Sequence, residues 1–255
     1  MSLEYFLGSR QTGKCRRPFE DFVRALAKRD LGIGVHGHYI PCSIVDGRRV
    51  KIHEFMAFML HYYCPRNRVC RVLDPTCGKE NHQFSRLKPY MAENGIEYVD
   101  GDIRPYGSYQ GSVFKLPFRD GCFDVVVYDP PYLVLPGNCR DDRRHDYGLD
   151  DVLTLSDVKK YYSREAINEL ARVTRENGVV IVKGADFYHP VTSRNLVLFF
   201  VDVFNPRIYD GLMPEALYIY MYYRQQSFRI TRVRMKDIQR PLIIHTYYVV
   251  MRKTG

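Results

Sequence analysis

From about residue 69 onward, short runs of β-branched residues alternate with stretches whose apolar residues recur at helical spacing. That alternation restricts the chain to a mostly parallel sheet with helices on both faces. Residues 69–73 and 96–102 read as the first two strands, followed by 124–129 (Asp-Val-Val-Val-Tyr-Asp) and 179–183. The last two are continuous apolar runs, the pattern of strands covered on both sides. Between them Val158, Tyr162, Ala166, Leu170 and Val173 make one apolar stripe, which predicts a helix over 157–175. Thr154 or Ser156 can cap its start, and Gly178 supplies a stop. Residues 217–223 and 243–251 are Tyr- and Ile-rich strands whose connection is too short for a helical crossover, so an antiparallel pair is expected. The first 50 residues differ. A helical pattern at 18–28 and a Gly-rich stretch at 31–38 form a small N-terminal helical extension, and a second helix at 51–63 leads into the first strand. The division expected is an extension at 1–50 and a main domain at 51–255.

The 255 residues suffice for one α/β domain with a sizeable core. No apolar run approaches the ~20 residues of a membrane helix, and residues 1–17 are polar, so an intracellular, cytoplasmic protein is expected. Seven cysteines, an odd number in a chain of this size, predict no disulfide framework. There is no Cys-x-x-Cys pair, and His36 and His38 lack a carboxylate or cysteine partner, so no metal is expected. The net charge of +9 favours a polyanionic partner, because each phosphate contact releases condensed counterions.

Two turns carry candidate chemistry. The first is Asp74-Pro75-Thr76-Cys77-Gly78, directly after the first strand. Ligands of open parallel sheets bind beyond the carboxyl ends of strands, where a glycine lets the backbone approach closely. Asp74 can accept hydrogen bonds from a positively charged amino group. Asp102, at the end of the second strand, can hold a ribose by its hydroxyls, with Asp100 the competing choice. Residues 112–118 lead toward the next strand and can flank an adenine ring with Val113 or Phe114; core packing explains those two residues equally well.

The second turn is Asp129-Pro130-Pro131-Tyr132, which follows the buried run 124–129. Two consecutive prolines fix the backbone and remove two amide donors. The exocyclic amine of a nucleobase is a poor nucleophile, because its lone pair is delocalised into the ring. The Asp129 carboxylate and the Pro130 carbonyl can both accept its hydrogens and draw the nitrogen toward a tetrahedral geometry. Tyr132 offers a flat face for a base swung out of its stack.

Together these segments resemble the class I S-adenosylmethionine-dependent methyltransferases, and within them the amino-methyltransferases of adenine and cytosine with an Asp-Pro-Pro-Tyr tetrapeptide. Residues 74–78 look like the family's cofactor loop and 129–132 like its catalytic tetrapeptide; 116–126 and 176–183 are also similar, and the resemblance spans about 50–252. It implies a Rossmann-like, mostly parallel seven-stranded sheet whose last strand, here 243–251, inserts antiparallel beside 179–183. It also implies S-adenosyl-L-methionine as cofactor, held by Asp74, Pro75, Thr76, Cys77, Gly78, Asp102, Ser112, Val113 and Asp129. The reaction implied is methyl transfer to an exocyclic amine, with N6 of adenine in DNA preferred. The alternatives are a guanine or adenine amine in RNA, a glutamine amide in a protein, or a nucleic-acid-binding module that keeps the fold without turnover. The chain departs from the family in three places: Lys79-Glu80 replaces the usual second glycine, Ser112 replaces the acidic residue that contacts the adenine amine, and only about 25 residues separate Tyr132 from the next helix. Within that short span the loop 133–151 gathers Arg140, Arg143 and Arg144, the expected phosphate contacts, among five aspartates.

Overall fold

The computed structural model describes residues 39–41, 44–45, 48–49, 52–79, 84–131, 154–188, 196–197, 211–221 and 245–255. In chain order the elements are β1 (Tyr39–Pro41), β2 (Ile44–Val45), β3 (Arg48–Arg49), α1 (Ile52–Tyr63), β4 (Cys70–Asp74), α2 (Lys88–Glu93), β5 (Ile96–Asp102), β6 (Tyr109–Gln110), β7 (Phe123–Tyr128), α3 (Leu155–Tyr161), α4 (Arg164–Val173), β8 (Thr174–Gly184), β9 (Phe187–Tyr188), β10 (Leu196–Val197), β11 (Leu212–Met221) and β12 (His245–Lys253).

One sheet organises them, with strand order β1-β11-β12-β8-β7-β4-β5-β6. β8, β7, β4, β5 and β6 run parallel, while β12 runs antiparallel to both β8 and β11. The last strand therefore inserts beside β8, as the resemblance implies. The sheet is mixed rather than mostly parallel, and it has eight strands rather than seven. The eighth is β1, contributed by the N-terminal segment, which pairs parallel to β11 at the edge. Parallel pairing needs a long return connection, and the sequence between β1 and β11 supplies one.

β7 explains the two layers. All six of its residues are buried, and successive side chains point to opposite faces. Val125 and Val127 join a cluster with Phe55, Met56, Met59 and Leu60 of α1 and Tyr218, Tyr220 and Tyr248. Val126 and Tyr128 join a second cluster with Ala166, Ile167 and Leu170 of α4. Each fully buried valine contributes roughly 1.5–3 kcal/mol, so a polar residue at Val125, Val126 or Val127 would damage one layer or the other. α1 is buried from His53 to Leu60, and its Phe55 ring lies 4.9 Å from that of Tyr248.

Other expectations change in detail. The single helix foreseen over 157–175 is two: α3 ends at Tyr161 and α4 restarts with Ser163 as its cap, the Ser163 side chain accepting from the Ala166 amide. Both helices keep the same apolar stripe in register, so periodicity alone did not reveal the break. Thr154 caps α3 through a capping box with Asp157. Gly178 is no helix stop but part of β8, where a Cβ would lie 2.8 Å from the Asp124 carbonyl oxygen. β8 pairs with Phe123 at Thr174, breaks register, and resumes at Val179 opposite Val125. The seven cysteines form no framework among the described residues, but one disulfide that the sequence did not indicate joins Cys64 to Cys70 and ties the segment after α1 to the start of β4. The helix expected at 18–28 and the pair His36 and His38 lie outside the described residues. Among the described residues no helix is long and apolar enough to cross a membrane.

Candidate active site

β4 and β7 are adjacent and parallel, with Val72 opposite Val125, so their carboxyl ends bring residues 74–78 and 129–131 to one edge of the sheet. Asp74 is 1% exposed. Its carboxylate accepts from the Thr76 amide at 3.1 Å and from the Tyr98 hydroxyl at 3.1 Å. Burial pushes its carboxyl up to about 7, against the pull of those hydrogen bonds. A cationic amino group brought beside it would restore the charged form.

The turn then folds back on β5. The Cys77 amide donates to the Gly101 carbonyl at 3.0 Å, and the Gly78 amide donates to Asp102 Oδ2 at 3.1 Å. Gly78 has φ +64°, the left-handed region that glycine enters without strain. Asp102 Oδ1 accepts from the Arg104 amide at 3.0 Å. Burial raises its carboxyl, and the backbone donors oppose that rise. Asp102 thus braces the turn around Gly78, and a carboxylate with about four lone-pair sites retains capacity for a ligand hydroxyl. Asp100, the competing choice, accepts from the Ser108 amide at 2.9 Å and from its hydroxyl. Cys77 is buried and its thiol is pushed up to about 12 by desolvation, so it is no nucleophile at neutral pH.

The segment 112–118 lies along α4. Glu169 accepts from the Leu116 amide at 2.7 Å, and Arg172 donates to the Leu116 and Phe118 carbonyls. The Ser112 hydroxyl accepts from the Phe114 amide at 3.3 Å. Val113 is 6% exposed and packs in the second core cluster. The Phe114 ring stacks on Tyr161, with centroids 6.2 Å apart.

Beyond β7, Asp129 is held from two directions. Its amide donates to the Thr76 hydroxyl at 2.9 Å. Lys183, near the end of β8, donates to its Oδ2 at 2.6 Å. The lysine side chain is 8% exposed and the Asp129 side chain 17%, and the Lys183 ammonium also sits 5.8 Å from the Tyr248 ring centroid. Pro130 is buried and Pro131 half-buried. Tyr132 and the loop residues Arg140, Arg143 and Arg144 lie outside the described residues.

The structure thus brings Asp74, Thr76, Gly78, Asp102 and Asp129 to one sheet edge. It adds two residues that sequence reasoning missed: Lys183 and Tyr98. Lys183 had one available signal, a lysine closing an apolar run on the strand next to the one that ends at the Asp129 turn. Among the described residues no group of His, Cys, Asp and Glu is arranged to hold a metal ion.

No protein-family model matches the chain, and no curated protein matches it. Solved structures do. A protein from Galdieria sulphuraria assigned as a sarcosine dimethylglycine methyltransferase is similar at 11% identity, over 79% of this chain and 85% of that one, with a TM-score of 0.48. A TehB-like SAM-dependent methyltransferase from Corynebacterium glutamicum is similar at 16% identity, over 82% and 90%, with a TM-score of 0.42. The cyclase SpnF is similar at 10% identity, over 78% and 81%, with a TM-score of 0.45. None of these similarities carries an activity or a substrate over to this chain.

Proposed function

We propose that the protein is an S-adenosyl-L-methionine-dependent methyltransferase acting on the exocyclic amine of a nucleobase, with N6 of adenine in DNA the preferred target. The observation that carries the reading is the hydrogen bond from the Asp129 amide to Thr76. It joins a carboxylate suited to an amine directly to a turn suited to a nucleoside ligand. The residues fit the cofactor: Asp74 for its amino group, the Gly78 backbone for close approach, and Asp102 for the ribose. Bound there, S-adenosylmethionine supplies a methyl group already activated by its sulfonium.

The chain's own contribution is positioning and electrostatics. Asp129 and the Pro130 carbonyl accept the hydrogens of the amine and concentrate electron density on its nitrogen. Lys183, a positioning residue, holds the Asp129 carboxylate in place. A base must leave its stack to reach this edge, and Tyr132 is the residue assigned to receive it. The net charge of +9 supports a nucleic-acid partner, with Arg140, Arg143 and Arg144 as its phosphate contacts.

Incubation with methyl-labelled cofactor and either DNA or RNA, followed by nucleoside analysis, tests the proposal. Label should appear in N6-methyladenine from DNA. Asp129→Ala should lower turnover by about 100-fold or more and leave cofactor affinity within a few fold. Label on RNA alone would redirect the substrate, and near-normal turnover in the variant would remove Asp129 from the chemistry.

A further inference from the structure

Tyr98 lies within β5, opposite Val72 of β4. Asp74 is two residues beyond Val72, so the two side chains share a face of the sheet and are offset by about 7 Å along the strands. The tyrosine hydroxyl closes that gap. Its ring packs against Phe84, with centroids 4.9 Å apart, and the hydroxyl donates to Asp74 Oδ2 at 3.1 Å.

From Asp74 a run of hydrogen bonds crosses the sheet. Asp74 Oδ1 accepts from the Thr76 amide at 3.1 Å. The Thr76 hydroxyl accepts from the Asp129 amide at 2.9 Å, and Asp129 Oδ2 accepts from the Lys183 ammonium at 2.6 Å. Four neighbouring strands, β5, β4, β7 and β8, thus contribute to one chain of contacts, with Tyr98 and Lys183 at its outer ends. Thr76 and Tyr98 are the two donors to Asp74 among the described residues. Without the hydroxyl, the carboxylate would be tied only to the amide that it has to brace. At 1% exposure Asp74 has no bulk water at hand to replace the lost donor. Thr76, which receives Asp129, would then be held less firmly.

Resting on the methyl transfer proposed above, we infer that Tyr98 is a positioning residue for Asp129. It acts through Asp74 and Thr76, and it needs no contact with the cofactor or the substrate. The Phe84 contact seats the ring, and the hydroxyl sets the carboxylate that orders both turns.

The test is Tyr98→Phe, which keeps the ring and deletes only the hydroxyl. Turnover of the full chain would be measured at saturating methyl-labelled cofactor and nucleic acid for wild type, Tyr98→Phe, Thr76→Val and the double variant. Each rate is expressed per site titrated calorimetrically with S-adenosylhomocysteine, which removes any difference in the folded fraction. Tyr98→Phe should lower kcat about five-fold, on the scale of one lost hydrogen bond to a buried carboxylate. The double variant should stay within about two-fold of Thr76→Val alone, because both changes break the same chain. A residue that serves only packing would leave kcat per titrated site unchanged. Wild-type kcat in Tyr98→Phe would overturn the role of Tyr98 and leave the proposed function standing. So would a double variant slower than Thr76→Val by the whole Tyr98→Phe factor. A wild-type protein that binds S-adenosylhomocysteine but methylates neither DNA nor RNA would overturn the proposed function, and this role with it.

Discussion

The backbone amide of Asp129 donates to the side-chain hydroxyl of Thr76 across 2.9 Å, so the turn that ends β7 is fastened to the turn that ends β4. Thr76→Val keeps the shape and removes the acceptor. Turnover should fall about ten-fold, on the scale of one part-buried donor left unpaired. Thr76→Ser should restore most of it. Steady-state kinetics on the three proteins decide the point, and equal loss in the serine variant would assign the effect to packing.

Lys183 and Asp129 form an ion pair largely out of water. Removing one member of such a pair leaves the other uncompensated, at a cost of about 3 kcal/mol. Lys183→Met should therefore be strongly destabilising in the wild-type background and nearly neutral in Asp129→Asn. Denaturant unfolding of the four proteins closes the double-mutant cycle. Additive effects would mean that the two side chains are not energetically coupled.

Asp74 titrates in the unusual direction for a carboxylate. Its ordinary value is 3.8 and burial lifts it to about 7 in the folded chain. Between those values the folded state holds the proton that the unfolded state has released, so this group's contribution to stability declines as pH rises from about 4 through 7. Asp74→Asn cannot ionise. Its melting temperature relative to wild type should increase from pH 5 to pH 8 in the ligand-free protein, while its affinity for S-adenosylmethionine falls. A difference that shrinks over the same range would contradict the assignment.

The Cys64–Cys70 bridge closes a short loop just ahead of β4. Cross-links of this length stabilise by roughly 2 kcal/mol through the unfolded chain, which corresponds to about 4–8 °C in a protein of this size. Reductant should lower the melting temperature by that amount, and the double serine variant should no longer respond to it.

Much of this architecture is legible in the sequence because burial on both faces leaves a plain record. The continuous runs at 124–129 and 179–183 mark β7 and the second half of β8. The tetrapeptide after the first of them identifies the edge where chemistry is expected. What stays hidden depends on which residues the fold brings together. Lys183 looks like the last residue of an apolar strand until the register of β8 against β7 brings it to Asp129, 54 positions away. Cys64 and Cys70 are two of seven cysteines, and only the turn from α1 into β4 singles them out.

The antiparallel strand β12 lies between β8 and β11 although it follows both in the chain. A ribosome delivers β1 first and β11 well before β12. Neither can take its final seat on the sheet until residues 245–253 have emerged and filled the gap. The β4, β5, β7 and β8 portion, which holds Asp74, Asp102, Asp129 and Lys183, is complete by residue 184. Vectorial synthesis therefore makes the strands of the Asp74–Asp129 edge available before the β1–β11 flank can close, so the earliest strand to be made is among the last able to dock.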